Sequence, residues 1–289
     1  MISNCNDGSQ KEPYLRCDFN YWNLDDLPSF TSGPYQVSEE EKYQAIKNAG
    51  FEGVQDGDPA LCSKFNLNLT AQLRVNQVGD LDEHLPVWLE KGYDCATVHV
   101  GWGMESDEEI NCLLEYIFDA SEINKFPIFV ETHRATITQD MWRTVEIIKR
   151  FPEIRFNADF SHWYTGLEMV NGIWEDKLSF IQPVFDRVSF IHGRIGNPGS
   201  IQVDISDGKN LSYVEHFKEM WVKSFKGFLK NAQPGDFLPF TTELLPSQYF
   251  YARLVRDESG NLVEEGDRWQ QAILLKDIAE ECWRIAKSE

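Results

Sequence analysis

A chain of 289 residues with 27 Lys and Arg against 47 Asp and Glu carries a formal charge of −20, and is long enough to bury a sizeable core. That balance argues against a nucleic-acid partner, because phosphate contacts require Lys and Arg to release counterions. Hydrophobic residues at 42% and aromatics at 13% exclude general disorder, and no run approaches the ~20 apolar residues of a membrane span.

The N-terminus lacks the basic start and apolar stretch of a signal peptide. The six cysteines (Cys5, Cys17, Cys62, Cys95, Cys112 and Cys282) are scattered with no C-x-x-C pair, as expected of reduced thiols rather than a disulfide framework or zinc site. The expectation is a cytoplasmic protein of one domain over 1–289, with residues 1–12 as a flexible tail. Sequon-like triplets at Asn68 and Asn210 carry little weight.

In chain order, short apolar runs alternate with segments of helical spacing. A run over 14–22 precedes a helix opened by a Ser38/Glu41 capping box and stopped at Gly50. Strand candidates at 53–55 and 67–75 follow, with the helix between them poorly marked. A helix from Asp80 to Gly92 contains Pro86, which restricts its first turns. The strand at 96–100 leads to a second capping box, Ser106/Glu109, and an amphipathic helix. Strands are then expected at 127–130, 154–158, 188–191 and 237–240, separated by helices. One of these helices carries a third capping box, Ser212/Glu215, and a last helix bears Ile273, Ile278, Cys282 and Ile285. About eight strand–helix units, with no glycine-rich dinucleotide fingerprint after the first strand, favour a closed (β/α)8 barrel over an open doubly wound sheet.

In such a barrel, chemistry sits where strands end. The last four strands end in Glu131, Asp159, His192 and Glu243, spaced 28, 33 and 51 residues apart, so only a closed fold would bring them together. Three carboxylates at one mouth resist joint ionisation unless a cation neutralises them. Three oxygen donors and an imidazole suit one divalent metal ion: Mn²⁺, Mg²⁺, Co²⁺ or Fe²⁺, with Zn²⁺ a further candidate.

The blocks Phe129-Val130-Glu131-Thr132-His133, Asp159-Phe160-Ser161-His162, Ile191-His192-Gly193-Arg194 and Thr241-Thr242-Glu243 resemble the xylose isomerase-like TIM barrels. That superfamily includes sugar-phosphate isomerases and epimerases, and the likeness runs over nearly the whole chain. It implies one metal held by Glu131, Asp159, His192 and Glu243, with Glu131 and Glu243 as the proton-transferring pair. It also implies that His162 and Arg194 line the substrate site. His133, Trp102 and Trp22 are further substrate-binding candidates from their positions after strands, and His99 reads more simply as a core histidine. Aromatic residues Tyr21, Trp163, Tyr164, Tyr249, Phe250 and Tyr251 also fall in loops near the expected mouth.

The expected activity is therefore a metal-dependent isomerase or epimerase, working through an enediolate of a sugar-derived hydroxycarbonyl. A lyase or dehydratase, either dehydroshikimate dehydratase-like or eliminating from an oxidised glycoside, shares that intermediate. A non-catalytic sugar-binding barrel is the third reading. Endonuclease IV, also in this barrel class, is rejected: that activity needs a multi-zinc cluster and a basic groove, whereas the chain has six histidines in all, two of them (His84 and His216) in helices, and a net charge of −20. Without a phosphate-cradling glycine loop, the expected partner is a free sugar or sugar acid. Neither nucleic acid nor a membrane is expected, and homo-oligomerisation is left open.

Overall fold

The computed structural model describes residues 2–206 and 211–288. Eight parallel strands form a ring: β1 (Tyr14–Asn20), β2 (Gly53–Gln55), β3 (Asn68–Val75), β4 (Cys95–Val100), β5 (Ile128–Glu131), β6 (Phe156–Ala158), β7 (Val188–Gly193) and β8 (Asp236–Thr242). Neighbours pair in chain order. The ring closes because Thr241 of β8 is partnered by His192 of β7 on one side and Asp18 of β1 on the other. The chain is thus a (β/α)8 TIM barrel, as its alternating pattern predicts.

The surrounding helices are α1 (Glu39–Asn48), α2 (Pro59–Phe65), α3 (His84–Lys91), α4 (Asp107–Asn124), α5 (Met141–Arg150), α6 (Ser161–Gly166), α7 (Trp174–Phe180), α8 (Gln182–Phe185), α9 (Ser212–Leu229) and α10 (Arg268–Ser288). The capping boxes at Ser38/Glu41 and Ser106/Glu109 are both formed. The faintly marked helix is α2, whose start is written in Asp58-Pro59: the carboxylate accepts from Leu61 N and the proline sits at the first helical position. Among the described residues no helix is long and apolar enough to cross a membrane.

Four local expectations need correction. Helix α3 starts at His84, not Asp80, because the Asp80 carboxylate accepts from the amides of Asn76 and Gln77 and stabilises a loop instead. Pro86 therefore falls in the first turn, where its missing N–H costs nothing. The Ser212/Glu215 box does not form: Leu211 is the N-cap of α9, and Glu215 pairs with Lys218. Residues 2–12 are not a free tail, since Cys5–Asn6 pairs antiparallel with Phe237 and Asp236 at the bottom of β8. Nearby, Ser189 skips the β6–β7 register and donates to Asn4 Oδ1 at 2.8 Å. Trp163 and Tyr164 lie in α6 and are buried, with the indole N–H on Thr138 O and the phenol on His216 Nδ1. The triplet beginning at Asn210 falls outside the described residues.

Strand alternation sends every second side chain inward. On β1 this selects Arg16, Asp18 and Asn20; on β3, Gln72 and Arg74; on β7, Phe190 and His192, with Arg194 just beyond. The lower interior holds a buried Arg16 guanidinium between Asp18 (2.7 Å) and Asp94 (2.5 Å). Above it, Phe129 and Phe190 pack at 6.3 Å between ring centres. The polar layer over that aromatic floor is the site.

Helix α9 approaches α8 so closely that a Cβ at Gly227 would run into the Phe185 carbonyl oxygen. In an exposed helix Gly→Ala gains about 1 kcal/mol. Here backbone overlap should win, and Gly227→Ala should destabilise the fold by about 1–3 kcal/mol in urea unfolding. A stabilised variant would contradict this packing.

Candidate metal centre and active site

Glu131, Asp159, His192 and Glu243 are all buried, and each offers a ligand atom within 4.8 Å of the others. The barrel thus gathers the four strand-end residues into one cluster. His192 Nδ1 lies 3.2 Å from Glu131 Oε2 and 3.5 Å from Glu243 Oε2.

A chain of hydrogen bonds fixes the imidazole. The backbone N–H of Trp22 donates to Asn20 Oδ1 at 2.9 Å, so the Asn20 amide nitrogen faces the other way and donates to Gln55 Oε1 at 2.9 Å. Gln55 then presents that oxygen to His192 Nε2 at 2.9 Å, and its own nitrogen donates to Thr97 Oγ1. The proton is therefore on Nε2, and the Nδ1 lone pair points at two carboxylates. That arrangement is repulsive unless a proton or a metal ion lies between them, so these donors fit a divalent cation.

Electrostatics agrees. Burial opposes protonation of His192, yet Glu243 and Glu131 push it up to about 9. Burial would raise the Glu131 carboxyl, but His99 and His192 outweigh it and hold Glu131 well below the usual range. Asp159 is also held low against burial by Arg194 and His162. Arg194 Nη2 donates to Asp159 Oδ2 and, at 2.6 Å, to Glu243 Oε2. Asp159 also accepts from the amide and hydroxyl of Ser161 at 3.0 and 2.5 Å.

Beside the cluster is a cavity of about 420 Å³ lined by Glu131, His133, His162, Arg194, Glu243 and Trp22, together with Gln72, Arg74, His99 and the Tyr249–Tyr251 segment. His162 is buried, 3.4 Å from Asp159 Oδ2, and its ring lies 3.9 Å from that of His133. His133 Nδ1 accepts from Ala135 N at 3.1 Å, so the neutral ring carries its proton on Nε2. Burial, reinforced by His162 and His99, pushes its pKa far down. Trp102 is half-exposed and does not line the cavity; it covers the Arg74 guanidinium at 4.2 Å.

His99 does more than fill the core, because its Nε2 is 3.1 Å from Glu131 Oε1. Asn20, Gln55, Asn157, Gln72 and Arg74 were not singled out from the sequence, although Asn20 and Gln55 also stand at strand ends. Asn157 Nδ2 donates to Glu131 Oε2 at 3.1 Å. The aromatic wall is anchored by Arg268, which donates to Glu264 at 2.7 Å and to the carbonyls of Asn23, Asp25 and Asp26. Glu264 in turn accepts from Ser247 N.

No protein-family model and no curated protein sequence matches the chain. Solved structures do. A D-tagatose 3-epimerase-like protein is 12% identical over 95% of this chain and 99% of its own, with a TM-score of 0.56. A xylose isomerase-like TIM barrel protein from Mycobacterium smegmatis, solved with magnesium, is 10% identical over 93% and 97%, also at 0.56. A probable 3-DHS dehydratase of petrobactin synthesis from Bacillus anthracis is 14% identical over 79% and 92%, at 0.52. The fold is that of the xylose isomerase-like TIM barrels.

The His192 geometry makes a proton and a cation compete for Nδ1. Because its folded value of about 9 exceeds the ordinary 6.5, protonated His192 stabilises the metal-free protein below about pH 6.5. That contribution is lost as pH rises through about 9. Mn²⁺ should bind at one site per chain, with affinity rising about tenfold per pH unit towards pH 9. A titration followed by the Mn²⁺ paramagnetic signal checks this, and a pH-independent affinity would refute the competition.

Proposed function

We propose that the protein is a divalent-metal-dependent enzyme that moves a proton at the carbon beside a carbonyl of a sugar-derived hydroxycarbonyl, giving isomerisation or epimerisation. The observation that carries this reading is the convergence of Glu131, Asp159, His192 and Glu243 within 4.8 Å at the edge of a monosaccharide-scale cavity. When bound, the cation would supply Lewis-acid stabilisation of the negative charge that develops on the substrate oxygens.

The remaining work falls to the side chains. Glu131 is pinned at both oxygens, by His99 on one and by Asn157 and His192 on the other. Glu243 has one oxygen committed to Arg194 and only a 3.5 Å contact from Asn20 on the other. Glu243 Oε1 is thus the freer base, suited to take the C–H proton, while Glu131 serves the opposite face. His133 keeps its Nε2 proton and donates to a substrate oxygen without charging. Arg194 braces both Asp159 and Glu243, and Tyr249–Tyr251 with Trp22 form an apolar wall for the C–H face of a sugar.

A dehydratase begins with the same proton abstraction, and one of the similar structures carries that description. The two outcomes separate in D₂O. With Mn²⁺ and a panel of ketoses, aldoses and keto acids, solvent deuterium should enter an unchanged or isomerised product; an unsaturated product reassigns the chain as a lyase. Glu243→Gln should lower turnover about 10²–10⁴-fold while urea unfolding stays near wild type. Near-normal turnover in that variant would remove Glu243 from the chemistry.

A further inference from the structure

We infer that the substrate is an acid, with a single carboxylate gripped by Arg74. The inference rests on the proposed cation at Glu131, Asp159, His192 and Glu243, and names the substrate class that this centre takes.

Arg74 lies on β3 and lines the cavity one imidazole ring beyond Glu131: its Nη2 is 3.5 Å from His99 Nδ1, and His99 Nε2 is 3.1 Å from Glu131. Its Nη1 is fully used, donating to Gly101 O at 2.5 Å and Ala135 O at 3.2 Å, and the Trp102 ring covers one guanidinium face. Of its five N–H groups, the Nε–H and one Nη2–H have no protein acceptor among the described residues. Nε and Nη2 flank one edge of the guanidinium, the fork that matches both oxygens of a carboxylate.

Charge points the same way. Among the described residues Arg74 has no carboxylate within ion-pairing distance, in a chain with a net charge of −20. Arg194, the other arginine in the cavity wall, is paired twice. Three carboxylates are balanced by a divalent cation and Arg194, so Arg74 leaves one positive charge over. Burial lowers its pKa despite the attraction of Glu131, Tyr251 and Glu105, so an incoming anion would reduce that cost.

One positive charge suits a carboxylate better than a phosphoryl group, which carries about −1.5 to −2 at neutral pH. Among the described residues no lysine lines the cavity to supply a second charge. Gln72, on the same face of β3, holds a buried Oε1 with no partner among the described residues, ready to accept from a substrate hydroxyl.

Calorimetric titration of the Mn²⁺-loaded protein tests this with pairs that differ by carboxylate against hydroxymethyl: D-glucuronate and D-glucose, D-galacturonate and D-galactose, gluconate and glucitol. At least one acid should bind about tenfold or more tightly than its neutral partner. Arg74→Gln should erase that preference and Arg74→Lys should keep part of it, with Mn²⁺ affinity unchanged in both. Wild-type protein that binds Mn²⁺ but favours no acid overturns the inference, as does a preference surviving in Arg74→Gln. Glucose 6-phosphate binding above every acid overturns it in favour of a phosphoryl group. Failure of the proposed function reads differently, as no Mn²⁺ uptake or no solvent exchange by the wild-type chain.

Discussion

Mutual repulsion among three buried carboxylates is the constraint to which the upper half of this barrel answers. Glu131 and Asp159 are held below the usual carboxylate range, and all three carboxylates are met by donors: His99 and Asn157 on Glu131, Ser161 and Arg194 on Asp159, Arg194 again on Glu243. Removing water from a charge is costly, and such clustering persists only where hydrogen bonds and counter-charge offset it. The bystander polar groups of the site thereby acquire a purpose. Asn20 and Gln55 touch no carboxylate closely, yet they decide which nitrogen of His192 faces the cluster.

The barrel divides its labour along its axis. The lower interior is closed by the Arg16 pair and by the short Cys5–Asn6 strand against β8, contacts that hold staves together. The aromatic layer of Phe129 and Phe190 separates this from the polar layer above. A buried apolar floor under the site offers its charges little screening from below, which keeps their interactions strong.

Much of this was legible in the chain. A strand end is conspicuous when a chemically active side chain closes an apolar run, as with Val130-Glu131, Ala158-Asp159, Ile191-His192 and Thr242-Glu243, and capping boxes marked α1 and α4. What escaped has physical reasons. Arg74 and Gln72 lie within a strand whose alternation was too diluted by polar residues to show which face turned inward. Trp163 and Tyr164 follow a strand and so resembled mouth aromatics, but a six-residue helix turns them into the core. Asp80 and Ser212 have the composition of helix starts, and only tertiary context shows that one serves a loop and the other begins a helix from within.

Arg268 ties the first turn of α10 to three carbonyls after β1, and through Glu264 to the segment bearing Tyr249–Tyr251. That aromatic segment is consequently tied at its start, Ser247, to the same ion pair. One guanidinium thus serves as the common fastener of the turn that carries Trp22 and of the span that carries Tyr249–Tyr251, and the two sides of the cavity rim stand or fall together.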